Sequence, residues 1–337
     1  MLRETRSLGT RFLSEKINDE KATSPSHIDL GNRSLMRLGQ FPQILSNNMS
    51  SVHEQLPSVD RKGILVLHRS GQPITTKPPP VYICLSGFPD DSSTFSSFAK
   101  PLEERYHVVK LCYPDMDQDT LGNFWGYSMS QVEMALVAVI QEYRTKYKCS
   151  KIYLHGFDWG AAITLMVVHN YPHIVTKLIG QDVGIITWKE QSLYDGLVMT
   201  AYQGFLAFVF LLSRLFMGND QLAAWIIGFL PFCFPWFLLT KFPSGISAKM
   251  RPHRCYPYFR IVADVLTGKL PEPRFAATVP QFFAYGAKKN VSYHTPDYIQ
   301  SLEATPGCRY KTYDGDHWFH TTHEAEFQTD VLEFLEE

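Results

Sequence analysis

Of the 337 residues, Asp158 stands in surroundings that would make it reactive. Lys151 to Pro172 reads KIYLHGFDWGAAITLMVVHNYP, and within it Gly156, Asp158 and Gly160 form G-x-D-x-G. Small residues on either side of one polar residue, between an apolar run and a helix-forming run, mark a nucleophile elbow, whose sharp turn holds the central side chain clear of the backbone. Serine is the usual residue at that point and needs a base to activate it. A carboxylate, with a reference pKa of about 3.9, is ionised at neutral pH unaided. It can attack an electrophilic sp3 carbon directly.

Such an elbow requires a strand and a helix in immediate succession. Ile152 to Leu154 suits a buried parallel strand, and Ala161 to Asn170 reads as a helix that stops before Pro172. Upstream, Gly63 to His68 reads as a first strand followed by a turn at Ser70-Gly71. The proline run Pro78 to Pro80 then leads into Val81 to Leu85, a short apolar strand ending in Ser86-Gly87-Phe88-Pro89. His107 to Cys112 reads as a strand. Ser130 to Tyr147 reads as an amphipathic helix, with Val132, Leu136, Val139 and Ile140 at helical spacing. Val175 to Gln181 and Val279 to Gly286 are further strands, and Glu324 to Leu335 is a final helix.

Strand, elbow, helix and the bulky Trp159 beside Asp158 together resemble the α/β-hydrolase superfamily, specifically its epoxide hydrolase and haloalkane dehalogenase branch. Elbows of that branch typically read H-D-W-G; here Phe157 precedes Asp158. The resemblance covers roughly residues 63 to 185 and 275 to 337. It implies an α/β fold with a mostly parallel central sheet, helices on both faces and a helical cap inserted after the sixth strand. The corresponding division is an N-terminal extension over 1–58, partly disordered by composition, a hydrolase core over 59–185 and 273–337, and a cap over 186–272.

The resemblance also implies roles. In the family, the loop after the strand at Val81 to Leu85 reads H-G-x-P and supplies an oxyanion-hole N–H; here Ser86 replaces the His, and the backbone donors of Phe88 and Trp159 stay available. The run YDGDHWF from Tyr313 to Phe319 matches the family's G-H-W-like signature before the last helix, which makes His317 the base. His320 and His323 carry no such signature and read as packing or capping residues. The acid that orients the base must follow the nucleophile, at the end of one of two strands. After Gly286 the chain continues Ala287-Lys288-Lys289-Asn290, with lysines where the family often has Asp. Asp182 is therefore the better acid, with Asp297 as the fallback.

Phe88 bears on the substrate. Dehalogenases often have Asn there, whose side-chain N–H helps to hold the departing halide, and phenylalanine has no donor. Epoxide hydrolysis to a diol is favoured on that ground, and a haloalkane dehalogenase-like hydrolase is the enzymatic alternative. Opening an epoxide also needs an acid, in the family usually a cap tyrosine. The run Cys255 to Arg260, CYPYFR, resembles that region, so Tyr256, Tyr258 and Tyr202 are the candidates.

Two cap segments, Gly204 to Leu212 and Leu222 to Leu239, are exceptionally apolar, the second without any charge. Both read as buried cap helices, since Pro231 and Pro235 oppose a straight span and a single crossing would part nucleophile from base. They also allow a peripheral membrane contact that admits a lipophilic substrate. A third reading, from a different class, is a catalytically inactive, membrane-associated binding protein on a hydrolase scaffold.

Composition bounds the rest. A net charge of -1 gives no electrostatic case for nucleic acid. Cys84, Cys112, Cys149, Cys233, Cys255 and Cys308 form no C-x-x-C pair and read as reduced thiols of a cytoplasmic protein. Arg3, Arg6 and Arg11 hint at mitochondrial import, against which stand Glu4, Glu15, Asp19 and Glu20. Asp115, Asp117 and Asp119 lack the pattern of a metal loop. No pattern in the chain calls for a metal or a cofactor.

Overall fold

Tyr82 and Cys84 pack on one side of their strand and Val81, Ile83 and Leu85 on the other, and none of the five is exposed. A strand that is apolar on both sides has to lie between two covering layers. The computed structural model describes residues 69–71, 80–118, 121–145, 148–186, 191–215, 225, 249–270, 274–289 and 291–337. In chain order they form β1 (Arg69–Gly71), β2 (Val81–Leu85), α1 (Lys100–Glu103), β3 (His107–Leu111), α2 (Met129–Thr145), β4 (Ile152–Phe157), α3 (Trp159–Asn170) and β5 (Lys177–Gln181). There follow α4 (Leu193–Leu215), α5 (Tyr256–Leu266), β6 (Gln281–Gly286), α6 (Pro296–Glu303), β7 (Arg309–Tyr313), α7 (Phe319–Thr322) and α8 (Glu324–Glu336).

The described strands form one sheet in the order β1-β3-β2-β4-β5-β6-β7. Only the β1–β3 pairing within it is antiparallel. Val132, Leu136 and Ile140 of α2 and Ile163 and Val167 of α3 cover the face formed by Ile83, Leu85 and Leu154. Phe327, Val331 and Phe334 of α8 cover the opposite face with Tyr82, Phe157 and Phe282. The second face also buries a polar chain. Tyr82 bonds His155 Nδ1 at 2.9 Å, His155 Nε2 bonds Gln181 Oε1 at 3.1 Å, and Gln181 Nε2 reaches His320 Nδ1. His320 is thus an interior hydrogen-bonding residue.

Register aligns the strand ends. Leu85 pairs with Gly156, Phe157 with Gln181, and Gly286 with Tyr313, so the loops after β2, β4, β5, β6 and β7 open at one edge of the sheet. That carboxyl edge is where open parallel sheets place their ligands.

Between β5 and β6 the chain leaves the sheet. Phe210 of α4 lies 5.2 Å from Phe259 of α5, and Tyr202 lies 6.0 Å from Tyr258. At about 1.5 Å per residue, α4 is roughly 35 Å long. By length and composition it could cross a membrane. It contains the apolar run 204–212, of which Leu206, Ala207, Val209 and Phe210 are buried while Phe208 is half exposed. The run 222–239 lies outside the described residues apart from Trp225, as do residues 1–58 and the strand expected over 63–68.

Several boundaries differ from expectation. Ser70 and Gly71 form an edge strand on β3 rather than a turn, because their backbones pair with Lys110 and Val109. The elbow helix begins at Trp159, immediately after Asp158. Five of the described strands precede the insertion, and the strand expected over 63–68 lies outside the described residues. Cys84, Cys112, Cys149, Cys255 and Cys308 are free thiols, and Cys233 lies outside the described residues.

Candidate active site

The elbow is as tight as its residues allow. Asp158 has φ 55° and ψ -123°, a strained conformation for a residue with a Cβ, and it joins β4 directly to α3. A Cβ on Gly160 would come within 2.0 Å of the Leu85 carbonyl oxygen, so only glycine lets α3 start this close to β2. A Cβ on Gly87 would lie 2.4 Å from both Asp158 Oδ1 and Trp159 N. The loop after β2 therefore passes directly beside the elbow.

Three loops meet around Asp158. Its Oδ1 accepts the Phe88 backbone N–H at 2.7 Å, and its Oδ2 lies 3.5 Å from His317 Nε2. His317 sits between β7 and α7, and its Nδ1 bonds Asp182 Oδ2. Asp182 follows β5 with φ 69° and is wholly buried. Its Oδ1 accepts from Gly286 N at 3.2 Å and from Lys289 Nζ at 2.6 Å. The structure thus brings Asp158, His317, Asp182, Phe88 and Trp159 together. Asp297, the fallback acid, is an exposed residue in the first turn of α6.

The electrostatics follow from this arrangement. Burial by itself would raise the Asp182 carboxyl, but the Lys289 ammonium and then His317 outweigh it and lower it to about 2. Burial would lower His317. The charge of Asp182 and the bond to Asp158 outweigh that and raise it to about 9. Phe157, in place of the expected His, lies 4.9 Å from the His317 ring and 4.8 Å from that of His320, which makes an apolar wall between them.

The candidate tyrosines separate. Tyr258 lies 5.0 Å from Phe88 and 5.3 Å from Trp159 by ring centroids, edge-on to both rings. Burial, then the charge of Asp158, raises its pKa well above the usual value. Burial also raises Tyr202, to about 12, with Asp158 adding to it. The Tyr202 oxygen accepts from Gln203 Nε2 at 3.4 Å. Tyr256 is corrected: its hydroxyl donates to the Pro114 carbonyl at 2.8 Å and serves the interior rather than the site.

Sequence reasoning missed three residues. Tyr293, on the loop after β6, faces His317 at 5.9 Å and feels the charges of Asp182 and Asp158; no motif marks it. Asp90 accepts from the Trp318 indole at 2.8 Å and pairs with Lys249 at 3.1 Å, linking the loop after β2, the His317 loop and the insertion. Lys289 was visible only as a positive charge where an acid was expected. Ser86, in place of the family's His, is fully buried, with its hydroxyl 3.5 Å from the Asp90 carbonyl.

No family model matches the chain, and no curated protein matches it. Solved structures do. MenH from S. aureus is 20% identical, covering 80% of this chain and 98% of its own, with a TM-score of 0.54. A Bacillus megaterium epoxide hydrolase in complex with an inhibitor is 14% identical, covering 80% and 97%, also with a TM-score of 0.54. MGS-M2, an alpha/beta hydrolase enzyme from a Medee basin deep-sea metagenome library, is 12% identical, covering 80% and 94%, with a TM-score of 0.55. At these identities the likeness concerns the fold. With the sheet order and the strand-to-helix elbow, it identifies the chain as one with the α/β-hydrolase fold.

Proposed function

We propose that the protein is a hydrolase with an Asp nucleophile, and that it opens a lipophilic epoxide to a diol through an ester on Asp158. The observation that carries this reading is the placement of one strained carboxylate between an N–H donor and an imidazole, with Tyr202 and Tyr258 near enough to feel its charge. Asp158 Oδ2 attacks a ring carbon, the C–O bond breaks, and the alkoxide takes a proton from Tyr258 or Tyr202. Their raised pKa values keep these tyrosines protonated and able to donate. The net proton comes from His317, whose positive charge is no longer favoured once esterification removes the negative charge of Asp158.

Neutral His317 then deprotonates a water that attacks the ester carbonyl. Oδ1 becomes the oxyanion, held by Phe88 N and Trp159 N, each such donor being worth about 3 kcal/mol in general. Collapse releases the diol, restores the Asp158 carboxylate and leaves the proton on His317. Protons balance over the cycle.

Phe88, Trp159, Tyr202, Tyr258 and Tyr293 surround the reacting group with rings, which supports an apolar substrate. Leu193, Leu197, Phe208 and Leu215 face outward along α4, which supports access from a membrane surface. Flotation with lipid vesicles tests this: binding that Leu197→Glu with Phe208→Glu abolishes is expected, and unchanged binding or none overturns it. The contact between the Trp159 side chain and Tyr258 favours a second reading, in which these groups hold a departing halide.

The deciding experiment is a single turnover of excess enzyme with a lipophilic epoxide in heavy-oxygen water, followed by peptide mass analysis. One solvent oxygen in the Asp158 peptide, absent in His317→Gln, is the expected result. Label only with an alkyl halide would move the assignment to dehalogenation. No label with either substrate would leave the inactive binding scaffold.

A further inference from the structure

Lys289 is buried beside a residue that already has a partner. Its side chain is 4% exposed and Asp182 is fully buried, with Nζ 2.6 Å from Asp182 Oδ1. Nζ also lies 3.4 Å from the Asp182 carbonyl oxygen, and over the rings of Tyr293 at 5.1 Å and Tyr285 at 5.8 Å. Burying an ammonium is costly unless acceptors and π faces surround it, and here two oxygens and two rings do so. Asp182 is therefore shared: one oxygen serves His317 and the other Lys289.

Among the described residues the charges around the pair are few. His317 faces the carboxylates of Asp158 and Asp182, the Tyr293 ring and, across Phe157, His320. Asp182 faces His317, Lys289, the Gly286 N–H, Tyr293 and His294. Without Lys289 two carboxylates would share one imidazole. After Asp158 was esterified, Asp182 would still have only His317 as countercharge, and the imidazole would keep its proton when it must lose it.

We infer that Lys289 is a positioning residue for the acid–base pair: it supplies the permanent countercharge of Asp182, so that His317 can be neutral when it has to accept a proton from water. The inference rests on the proposed role of His317 in ester hydrolysis and names a residue that sets the working range of that step. Lys289 touches neither substrate nor the reacting atoms and acts through Asp182 alone. Arginine preserves the charge, glutamine preserves a hydrogen bond without it, and methionine removes both.

The test needs no substrate. With nitrogen-15 histidine, His317 is titrated by NMR in the full-length wild type, K289R, K289Q and K289M, the resonance being assigned by its loss in H317Q. A unit charge about 6 Å away, at an effective dielectric of about 20 to 40, is worth roughly one to two pH units. The His317 midpoint is expected to rise by that amount in both K289Q and K289M and to stay near the wild-type value in K289R. An unmoved midpoint in whichever of K289Q and K289M folds overturns the inference. So does failure of both to fold while K289R folds normally, since the lysine would then be structural. In a second arm, the same variants are mixed with the epoxide. Ester that accumulates at pH 7 and clears at higher pH is expected in K289Q and K289M. A shifted midpoint with no ester in any form, wild type included, would refute the proposed reaction while leaving the electrostatic role of Lys289 intact.

Discussion

Phe88 donates its backbone N–H to Asp158 Oδ1 at 2.7 Å, so the oxygen that carries charge in the proposed ester hydrolysis already sits on its donor before any substrate arrives. On the proposed mechanism the nucleophile is held by its carbonyl side, and Oδ2 is the atom left to attack. The arrangement depends on Gly87, whose missing Cβ leaves room for both Asp158 Oδ1 and Trp159 N.

Gly87→Ala should therefore displace the donor loop from the elbow. A loss of about 10²-fold in kcat is expected, the usual effect of removing one oxyanion donor. Gly204→Ala, where an added Cβ meets nothing within 4 Å, serves as control and should keep both activity and Tm. Equal activity in the two variants would rule out this use of Gly87.

Stability should depend on pH through His317. Its native pKa of about 9 lies above the ordinary value of 6.5, so its contribution is fully present below about pH 6.5 and is lost as pH rises to 9. Asp182, lowered to about 2, contributes above about pH 4 and loses that contribution as pH falls towards 2. Denaturant unfolding across pH 6 to 9.5 should show wild type weakening by an amount on the order of 2 kcal/mol, and His317→Gln weakening much less. Parallel curves for the two proteins would contradict the assignment.

The tyrosines should differ in kind. Tyr258→Phe and Tyr202→Phe are each expected to slow ester formation from an epoxide by about 10- to 10²-fold, and the double variant to abolish it, with little effect on release from a preformed ester. Tyr256→Phe should leave the chemistry unchanged and cost about 1 kcal/mol of stability, because it removes the bond to the Pro114 carbonyl. Rapid-quench kinetics with peptide mass analysis distinguishes these outcomes.

Asp90 joins the insertion to the base loop through Lys249 and Trp318. Asp90→Ala removes the carboxylate that accepts from the Trp318 indole and one of the two carboxylates beside Lys249, the other being Asp91 at 3.6 Å, at an expected cost of about 1–3 kcal/mol together with a lower kcat/KM. Lys249→Met, at a side chain 31% exposed, should cost less than about 1 kcal/mol in stability. A double-mutant cycle measures the coupling, and strict additivity would mean that the contact does not hold the insertion in place.

Much of this was legible in the chain. Asp158 could be read because the strand, the glycines and the helix around it are local, and His317 because its loop carries a signature of adjacent residues. The mostly parallel sheet was implied by the resemblance of that strand, elbow and helix to the α/β-hydrolase superfamily. The rest depended on contacts between residues far apart. Which tyrosines face Asp158 is set by the rotation of α4 and α5 over the sheet, and a separation of two helical residues turns Tyr256 towards Pro114 while Tyr258 meets Phe88. Lysine in the expected place of an acid looked like a defect, and only the fold shows that it meets Asp182 across 107 positions. Sequence alone determined the chemistry available at Asp158, since residue type supplies the carboxylate and local backbone geometry presents it at the turn. Tertiary structure alone decided which charges and hydroxyls surround it, since a Coulomb interaction or a hydrogen bond depends on distances in space that no local pattern encodes.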